Sequence, residues 1–254
     1  MFDRQSFCDA VRANLFGGTL TVGQLSGINA VLDEWERRQL TDLRWLAYML
    51  ATDKHETNAT MQAVREAYWL SEAWRRANLR YWPWYGRGLV QLTWERNYLR
   101  MEQLLGVAFT KDPDLALDLR NAVLIMFEGM LKAESDVGDF TGKCLEQFFN
   151  GTTDDPVGAR AIINGTDRAE EIADIHRGFL RALTNAGQAS PPVPRVLRRG
   201  DDGPDVAALQ RALGIVPDGQ FGPKTDSAVR MFQADRGLVV DGLAGAMTMR
   251  ALGI

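Results

Sequence analysis

Between Thr184 and Arg195 the chain reads T-N-A-G-Q-A-S-P-P-V-P-R, with three prolines beside Gly, Ser and Gln and no apolar residue at a helical or strand period. A stretch of this kind adds nothing to a core and forms a semi-rigid spacer. It predicts a large unit over 1–184, a linker over 185–195 and a small unit over 196–254. At 254 residues the chain exceeds the usual single-domain size, which suits that division. Hydrophobic residues make up 46% and charged residues 24%, so both units are expected to fold rather than remain disordered.

Before the break, the apolar period is helical almost throughout. Phe7, Val11 and Leu15 lie one helical turn apart and stop at Gly17-Gly18. Thr21 with Gln24 forms a capping box for a helix with the stripe Leu25, Ile28, Leu32 and Trp35. From Thr41 to Glu56 a third helix is predicted, with Thr41 capping it, Asp42 at the positive end of its dipole, and Leu43, Leu46, Ala47 and Leu50 facing the core. Trp45, Met49, Thr52 and Glu56 fall on a second stripe, which sets Glu56 in line with apolar side chains. A carboxyl against apolar surface keeps its proton more readily, as a general acid must.

Ser71 is placed to cap a short helix ending near Asn78, and residues 80–88 form an aromatic loop closed by glycines. The alternation of Leu89–Thr93 predicts an extended segment with Gln91 and Thr93 on one face, after which Thr93 opens a helix bearing Asn97 and Tyr98. Further helices are predicted from about Asp114, over 121–133 as a buried core helix, over 144–149 and 159–163, and over 169–183. With no run of alternating strands, the large unit is expected to be mainly α.

The small unit contains an internal repeat. Asp218-Gly219-Gln220-Phe221-Gly222 with Thr225 is echoed 23 residues later by Asp241-Gly242-Leu243-Ala244-Gly245 with Thr248. Two glycine turns each feeding a helix predict near-symmetrical helical halves around Val206, Leu209, Leu213, Val229, Phe232 and Leu252. The formal net charge of −4, with no basic run, argues against a nucleic-acid partner. Cys8 and Cys144 are too few for a disulfide framework or a metal cluster and are expected as reduced thiols. The only histidines are His55 and His176, and no carboxylate spacing suggests a metal site. The first residues lack an apolar signal-peptide core, and no window approaches a membrane span. The chain is therefore expected to stay in the cytoplasm unless another machine exports it.

Two carboxyls flanking a glycosidic bond suffice to hydrolyse it, and Glu56 and Glu66 are candidates. Around them, His55-Glu56-Thr57, Tyr85-Gly86-Arg87-Gly88-Leu89-Val90-Gln91-Leu92-Thr93, Asn97-Tyr98 and Ile163-Asn164-Gly165 resemble the glycoside hydrolase family 19 catalytic domain in its short bacteriophage endolysin form, over roughly residues 40–185. The resemblance implies a lysozyme-like α-helical fold, Glu56 as general acid, Glu66 as general base with Glu72 as rival, and Thr93 holding the attacking water of an inverting reaction. It implies sugar contacts from Gln91, Asn97 and Asn164, and substrate-side roles for His55, Tyr85, Arg87 and Tyr98. Arg87 is equally placed for a structural ion pair, and Tyr81, Trp82, Trp84 and Tyr85 for a packed loop core or a sugar-stacking platform. No cofactor is implied.

The last 60 or so residues, through Leu197-Arg198-Arg199-Gly200-Asp201, Val206-x-x-Leu209-Gln210, the two D-G-x-x-G turns, Ala228-Val229-x-x-Phe232-Gln233 and Thr248, resemble the peptidoglycan-binding domain of cell-wall hydrolases, a small three-helix module. Ala246 stands where that domain usually has proline and Met249 where an aromatic is common. The resemblance implies wall contacts from Leu209, Phe221, Phe232, Asp218 and Asp241. Together the two imply a monomeric endolysin cutting the β-1,4 bonds of bacterial peptidoglycan for host lysis, reaching the wall through a phage pore-forming protein. A chitinase and a non-catalytic wall-binding protein are the alternatives.

Overall fold

The helix that carries Glu56, α3 (Leu43–Glu56), is buried on every side from Leu46 to Asp53. The sequence predicts a core-facing stripe and a second stripe that ends at Glu56; the computed structural model, which describes residues 2–131, 140–188 and 196–252, encloses the whole middle of this helix within its unit. Asp42, not Thr41, is its N-cap: in extended backbone its carboxylate accepts from the Arg44 amide at 3.0 Å and from Arg44 Nε at 2.9 Å. The chain divides into two compact units between Gln188 and Ala189.

In the first unit α1 (Arg4–Leu15), α2 (Val22–Arg37) and α8 (Ala169–Gln188) join α3. The capping box of Thr21 and Gln24 is formed, with the two bonds at 3.1 and 2.8 Å. Gly27 is required where α2 meets the loop after α3, because a Cβ there would lie 1.7 Å from the Met61 carbonyl oxygen. The last helix runs five residues past its predicted end at Leu183. Ala186 is buried and its carbonyl accepts the Asp3 amide at 3.1 Å, so packing against the chain's start overrides the Gly and Asn that suggested a linker. The rest of the predicted linker, 189–195, lies outside the described residues.

The remaining helices are α4 (Glu72–Asn78), capped by Ser71, α5 (Glu95–Leu105), α6 (Leu119–Met130), capped by Asp118, and α7 (Leu145–Phe148). Two 3-10 turns, Pro113–Leu117 and Gly158–Ile162, stand where a helix from about Asp114 and a short helical piece over 159–163 are predicted. The end of the predicted 121–133 helix falls partly outside the described residues. The unit is mainly α, as expected, and its one small ribbon pairs β1 (Val64–Arg65) antiparallel with β2 (Arg87–Gly88) among the described residues. The segment Leu89–Thr93 is not extended. Arg87 and Leu92 exchange backbone hydrogen bonds at 3.2 and 2.8 Å around a tight turn in which Gly88 (φ 84°) and Gln91 (φ 52°) are left-handed. Among the described residues no helix is long and apolar enough to cross a membrane.

The second unit holds α9 (Pro204–Ala212), α10 (Pro223–Asp235) and α11 (Ala246–Leu252). Leu197, Val206, Leu209, Phe221, Val229, Ala244 and Met249 form its core, with Leu213 and Leu252 against it. Phe232, predicted in that core, is half-buried with the Arg236 guanidinium 5.3 Å from its ring; the next residue, Gln233, is buried instead. Both halves close on such a glutamine. Gln210 Nε2 donates to Asp218 Oδ1 (2.7 Å), the Gln220 carbonyl (3.0 Å) and Thr225 Oγ1 (2.9 Å), and Gln233 Nε2 donates to Asp241 Oδ1 (2.8 Å), the Leu243 carbonyl (3.0 Å) and Thr248 Oγ1 (3.2 Å).

On α8, His176 is buried between Tyr48 and Phe149, with ring centroids 5.7 and 5.2 Å away. Burial holds its imidazole down to about 4 from an ordinary 6.5, so the folded state keeps it neutral. Its contribution to stability is complete above pH 6.5 and is lost as pH falls toward 4, because the unfolded chain binds the proton first. His176→Phe should therefore lose about 2 to 3 kcal/mol less than the wild type between pH 7 and 4.5 in urea unfolding. All seven tryptophans lie in the first unit, so their fluorescence isolates its transition. Equal losses would show that His176 takes up its proton while folded.

Candidate active site

One open cleft of about 860 Å³ in the first unit gathers residues from α3, the β1–β2 ribbon, the start of α5 and the loop after the Gly158–Ile162 turn. Glu56, the last residue of α3, enters it at one side. The surroundings predicted for Glu56 are apolar; in the structure a buried cation holds it. Arg160, 2% exposed, donates from Nη1 to Glu56 Oε1 at 2.6 Å and from Nε to the Asp167 carbonyl at 2.9 Å. A carboxylate formed here is balanced by a guanidinium that water does not screen. Sequence reasoning missed Arg160; its only signal is a lone arginine in the otherwise apolar A-R-A-I-I.

Glu66 lies just beyond β1, its amide donating to the Gly86 carbonyl at 2.7 Å. Its carboxylate accepts from the Tyr81 hydroxyl at 2.7 Å and the Gly86 amide at 2.9 Å. Burial first, and then this bond to Glu66, push the Tyr81 phenol up to about 12, so it remains a donor. Glycine at 86 lets Gln91 pack close, since a Cβ would sit 2.7 Å from Gln91 Oε1 and displace that side chain. Gln91 in turn donates to the Val64 and Gly88 carbonyls, each at 3.1 Å, stapling the ribbon across its turn.

Thr93 does not cap α5. Its hydroxyl donates to the Gln91 carbonyl at 2.7 Å, and its own carbonyl accepts Asn97 Nδ2 at 2.8 Å, while the residue faces the cleft. With its proton committed, the hydroxyl presents lone pairs to a bound water. His55 and Asn164 also line the cleft. Burial lowers the His55 pKa although the neighbouring Glu56 works the other way, so its imidazole is neutral at neutral pH.

Three predicted substrate contacts are elsewhere. Tyr85, Arg87 and Tyr98 are buried and line no part of the cleft. Arg87 lies 3.7 Å over the Tyr85 ring and donates to the Tyr98 hydroxyl (3.0 Å), the Pro83 carbonyl (2.9 Å) and Asp114 (2.8 Å), a structural cluster beneath β2. Glu72 is also outside the cleft. Although burial opposes it, donors on Arg75, Trp82 and Tyr85 hold its carboxyl below the usual range, so it is tied into the scaffold. Of the predicted aromatic platform only Tyr81 reaches the cleft, while Trp84 packs on Tyr98. Tyr68, Trp69 and Trp94 supply the aromatic lining instead. Among the described residues no group of His, Cys, Asp and Glu could hold a metal ion.

In the second unit, Leu209 and Phe221, predicted to touch the wall, belong to the core, although Phe221 also reaches the floor of a surface concavity of about 690 Å³. Asp218 and Asp241 are held below the usual carboxylate range, chiefly by the Gln220 and Leu243 amides of their own turns and then by the two glutamines. Residues 202–252 match the family model of the putative peptidoglycan binding domain. The comparison with curated proteins found no match. The second unit is thus a peptidoglycan-binding module, and peptidoglycan is its partner.

Removing the Arg160 head group strands a carboxylate and a carbonyl together. Arg160→Met should cost the first unit about 3 kcal/mol, and Glu56→Gln in the same background should restore part of it. A double-mutant cycle by denaturant unfolding is expected to give at least about 1 kcal/mol of coupling. Additive losses would mean that the ion pair does not hold the helix end.

Proposed function

We propose that the first unit is a glycoside hydrolase that cuts the β-1,4 bonds of peptidoglycan, delivered to its polymer by the binding module on the same chain. The observation that carries this reading is the meeting of Glu56, at the end of α3, and Glu66, just beyond β1, in one cleft with Thr93. Glu56 gives its proton to the glycosidic oxygen as the C1–O bond breaks, and Arg160 stabilises the carboxylate left behind. A water accepted by the Thr93 hydroxyl attacks C1 from the opposite face and yields its proton to Glu66, whose carboxylate Tyr81 and the Gly86 amide hold in place. This single displacement inverts the anomeric centre and needs the carboxyls about 6.5–9.5 Å apart, room for one water.

The rim of the cleft favours an acid-bearing glycan over chitin, a neutral polymer. Arg80 and Arg96 line it and are exposed, and among the described residues neither has a carboxylate within ion-pair distance. Both suit the lactyl and peptide carboxylates of muramic acid, which makes the unit a lysozyme-like muramidase rather than a chitinase. In this reading the protein serves cell lysis, acting on the wall after passing the membrane through a pore made by another protein.

Glu56→Gln and Glu66→Gln should each keep the fold and lose lysis of purified sacculi by about 100 to 10,000-fold, whereas Glu72→Gln keeps most of it. Proton NMR of the first product should show the α-anomer. Initial release of the β-anomer, or lysis by Glu56→Gln above a tenth of wild type, defeats the assignment. Removing residues 196–254 should spare cleavage of soluble muropeptide chains while retention on intact sacculi drops, since tethering raises local concentration without adding contacts in the cleft. Undiminished retention would show that the second unit does not anchor the enzyme.

A further inference from the structure

The two halves of the second unit repeat every 23 residues down to the hydrogen bonds of Gln210 and Gln233, yet they differ in what lies over their glycine turns. Above Gly219 there is space. The nearest heavy atom to a Cβ built there is the Gly203 carbonyl oxygen, 3.5 Å away, and the surface concavity of about 690 Å³ opens over the turn between Asp202, Gly203, Ala207 and Phe221. Above Gly242 the same Cβ would lie 2.5 Å from Arg230 Nη2 and 2.5 Å from Asp226 Oδ1. Arg230 donates from Nε to Asp226 at 3.1 Å and from Nη1 to the Val240 carbonyl at 3.3 Å, so an ion pair lies across the second turn.

The filling follows from two positions. Arg230 is the repeat counterpart of Ala207, and Asp226 that of Gly203. The first half therefore carries the smallest side chains where the second carries a paired arginine and aspartate. The repeat keeps its buried framework and differs at the surface, which a purely structural duplication does not require.

We infer that this module holds peptidoglycan at one site only, the concavity over Gly219 in its first half, and that the second half is a structural counterpart closed by Arg230 and Asp226. The inference rests on the module's binding of peptidoglycan and adds the place and the valency. The concavity is lined by carboxylate residues and glycine backbone and lacks a lysine or arginine among its lining residues. It suits a ligand segment rich in donors, namely the amide- and amine-bearing stem peptides rather than the bare glycan.

Ala207→Arg tests this by giving the first half the side chain that the second already accommodates on an equivalent helix. In the full-length chain at 4 °C, sedimentation with purified sacculi should fall at least tenfold for Ala207→Arg and change less than twofold for Arg230→Ala. Calorimetry should show the second unit's melting unchanged in both. Should Ala207→Arg lower that melting, Asp202→Lys at the exposed rim makes the same test and should also reduce retention. Sacculi stripped of stem peptides by an amidase should retain the wild type poorly. Wild-type retention of a folded Ala207→Arg chain, loss of retention by Arg230→Ala, or equal binding to stripped glycan overturns the inference. If the wild-type chain itself is not retained on intact sacculi, the peptidoglycan reading of the module falls, and the site with it.

Discussion

The architecture of the first unit depends on enclosing α3 while still bringing its last residue to water. Every residue from Leu46 to Asp53 is buried, and Glu56, one turn later, faces the cleft. Arg160 resolves this conflict. A buried guanidinium needs partners for its donors, and Arg160 finds one in Glu56 and another in the Asp167 carbonyl, so the loop that carries Asn164 is tied to the helix end. The same turn of α3 bears a cost. Asp53 is fully buried, and the Thr57 hydroxyl beside it donates to the Asp53 carbonyl at 2.7 Å rather than to the carboxyl. Burial raises that carboxyl well above its ordinary range. Buried groups that break the usual pairing rule cluster at functional sites, and this one stands three residues before the acid.

The opposite wall of the cleft is built differently, from backbone rather than from a buried charge. Gly86 gives its amide to Glu66 and lets Gln91 approach; Gly88 turns the chain; Gln91 bonds back to Val64. Beneath it Asp114 receives Arg87 at 2.8 Å and pairs with Arg65 as well, and the Arg87 cation sits on the Tyr85 ring. The run G-R-G-x-x-Q-L-T is therefore mostly scaffold. Within it Gln91 and Thr93 face the cleft, and the arginine and the preceding tyrosine support them from behind.

Local chemistry made much of this legible in the sequence. Capping residues and apolar periods set α1, α2, α4 and the core of α3, and the repeat at 23 residues marked the two halves of the second unit. What escaped depended on contacts distant in sequence. The end of α8 reads as a linker by composition, yet it is helical because Asp3 and the core cover it. Alternation over Leu89–Thr93 reads as a strand, but glycine at 88 and the pairing of Arg87 with Leu92 make a turn. Trp69 carries no pattern at all and Arg160 only that of a lone charge in an apolar run, and only the tertiary fold sets Trp69 at the cleft and Arg160 against Glu56.

Phe232 and Gln233 show why a period alone misleads in a small domain. Phe232 has the apolar side chain and the right spacing, but the interior position belongs to Gln233, which offers two protons to Asp241, the Leu243 carbonyl and Thr248 and accepts the Gly242 amide at 3.0 Å. A glycine turn leaves backbone groups that a core this small cannot abandon, and a glutamine reaching from the neighbouring helix satisfies donor and acceptor at once. Leu209 and Phe232 hold equivalent positions before the two glutamines, and only Leu209 is in the core. The glutamine is thus the invariant of the repeat and the apolar residue beside it is not. Ala207 and Arg230 take no part in this network, and at those two positions the surfaces over the turns differ.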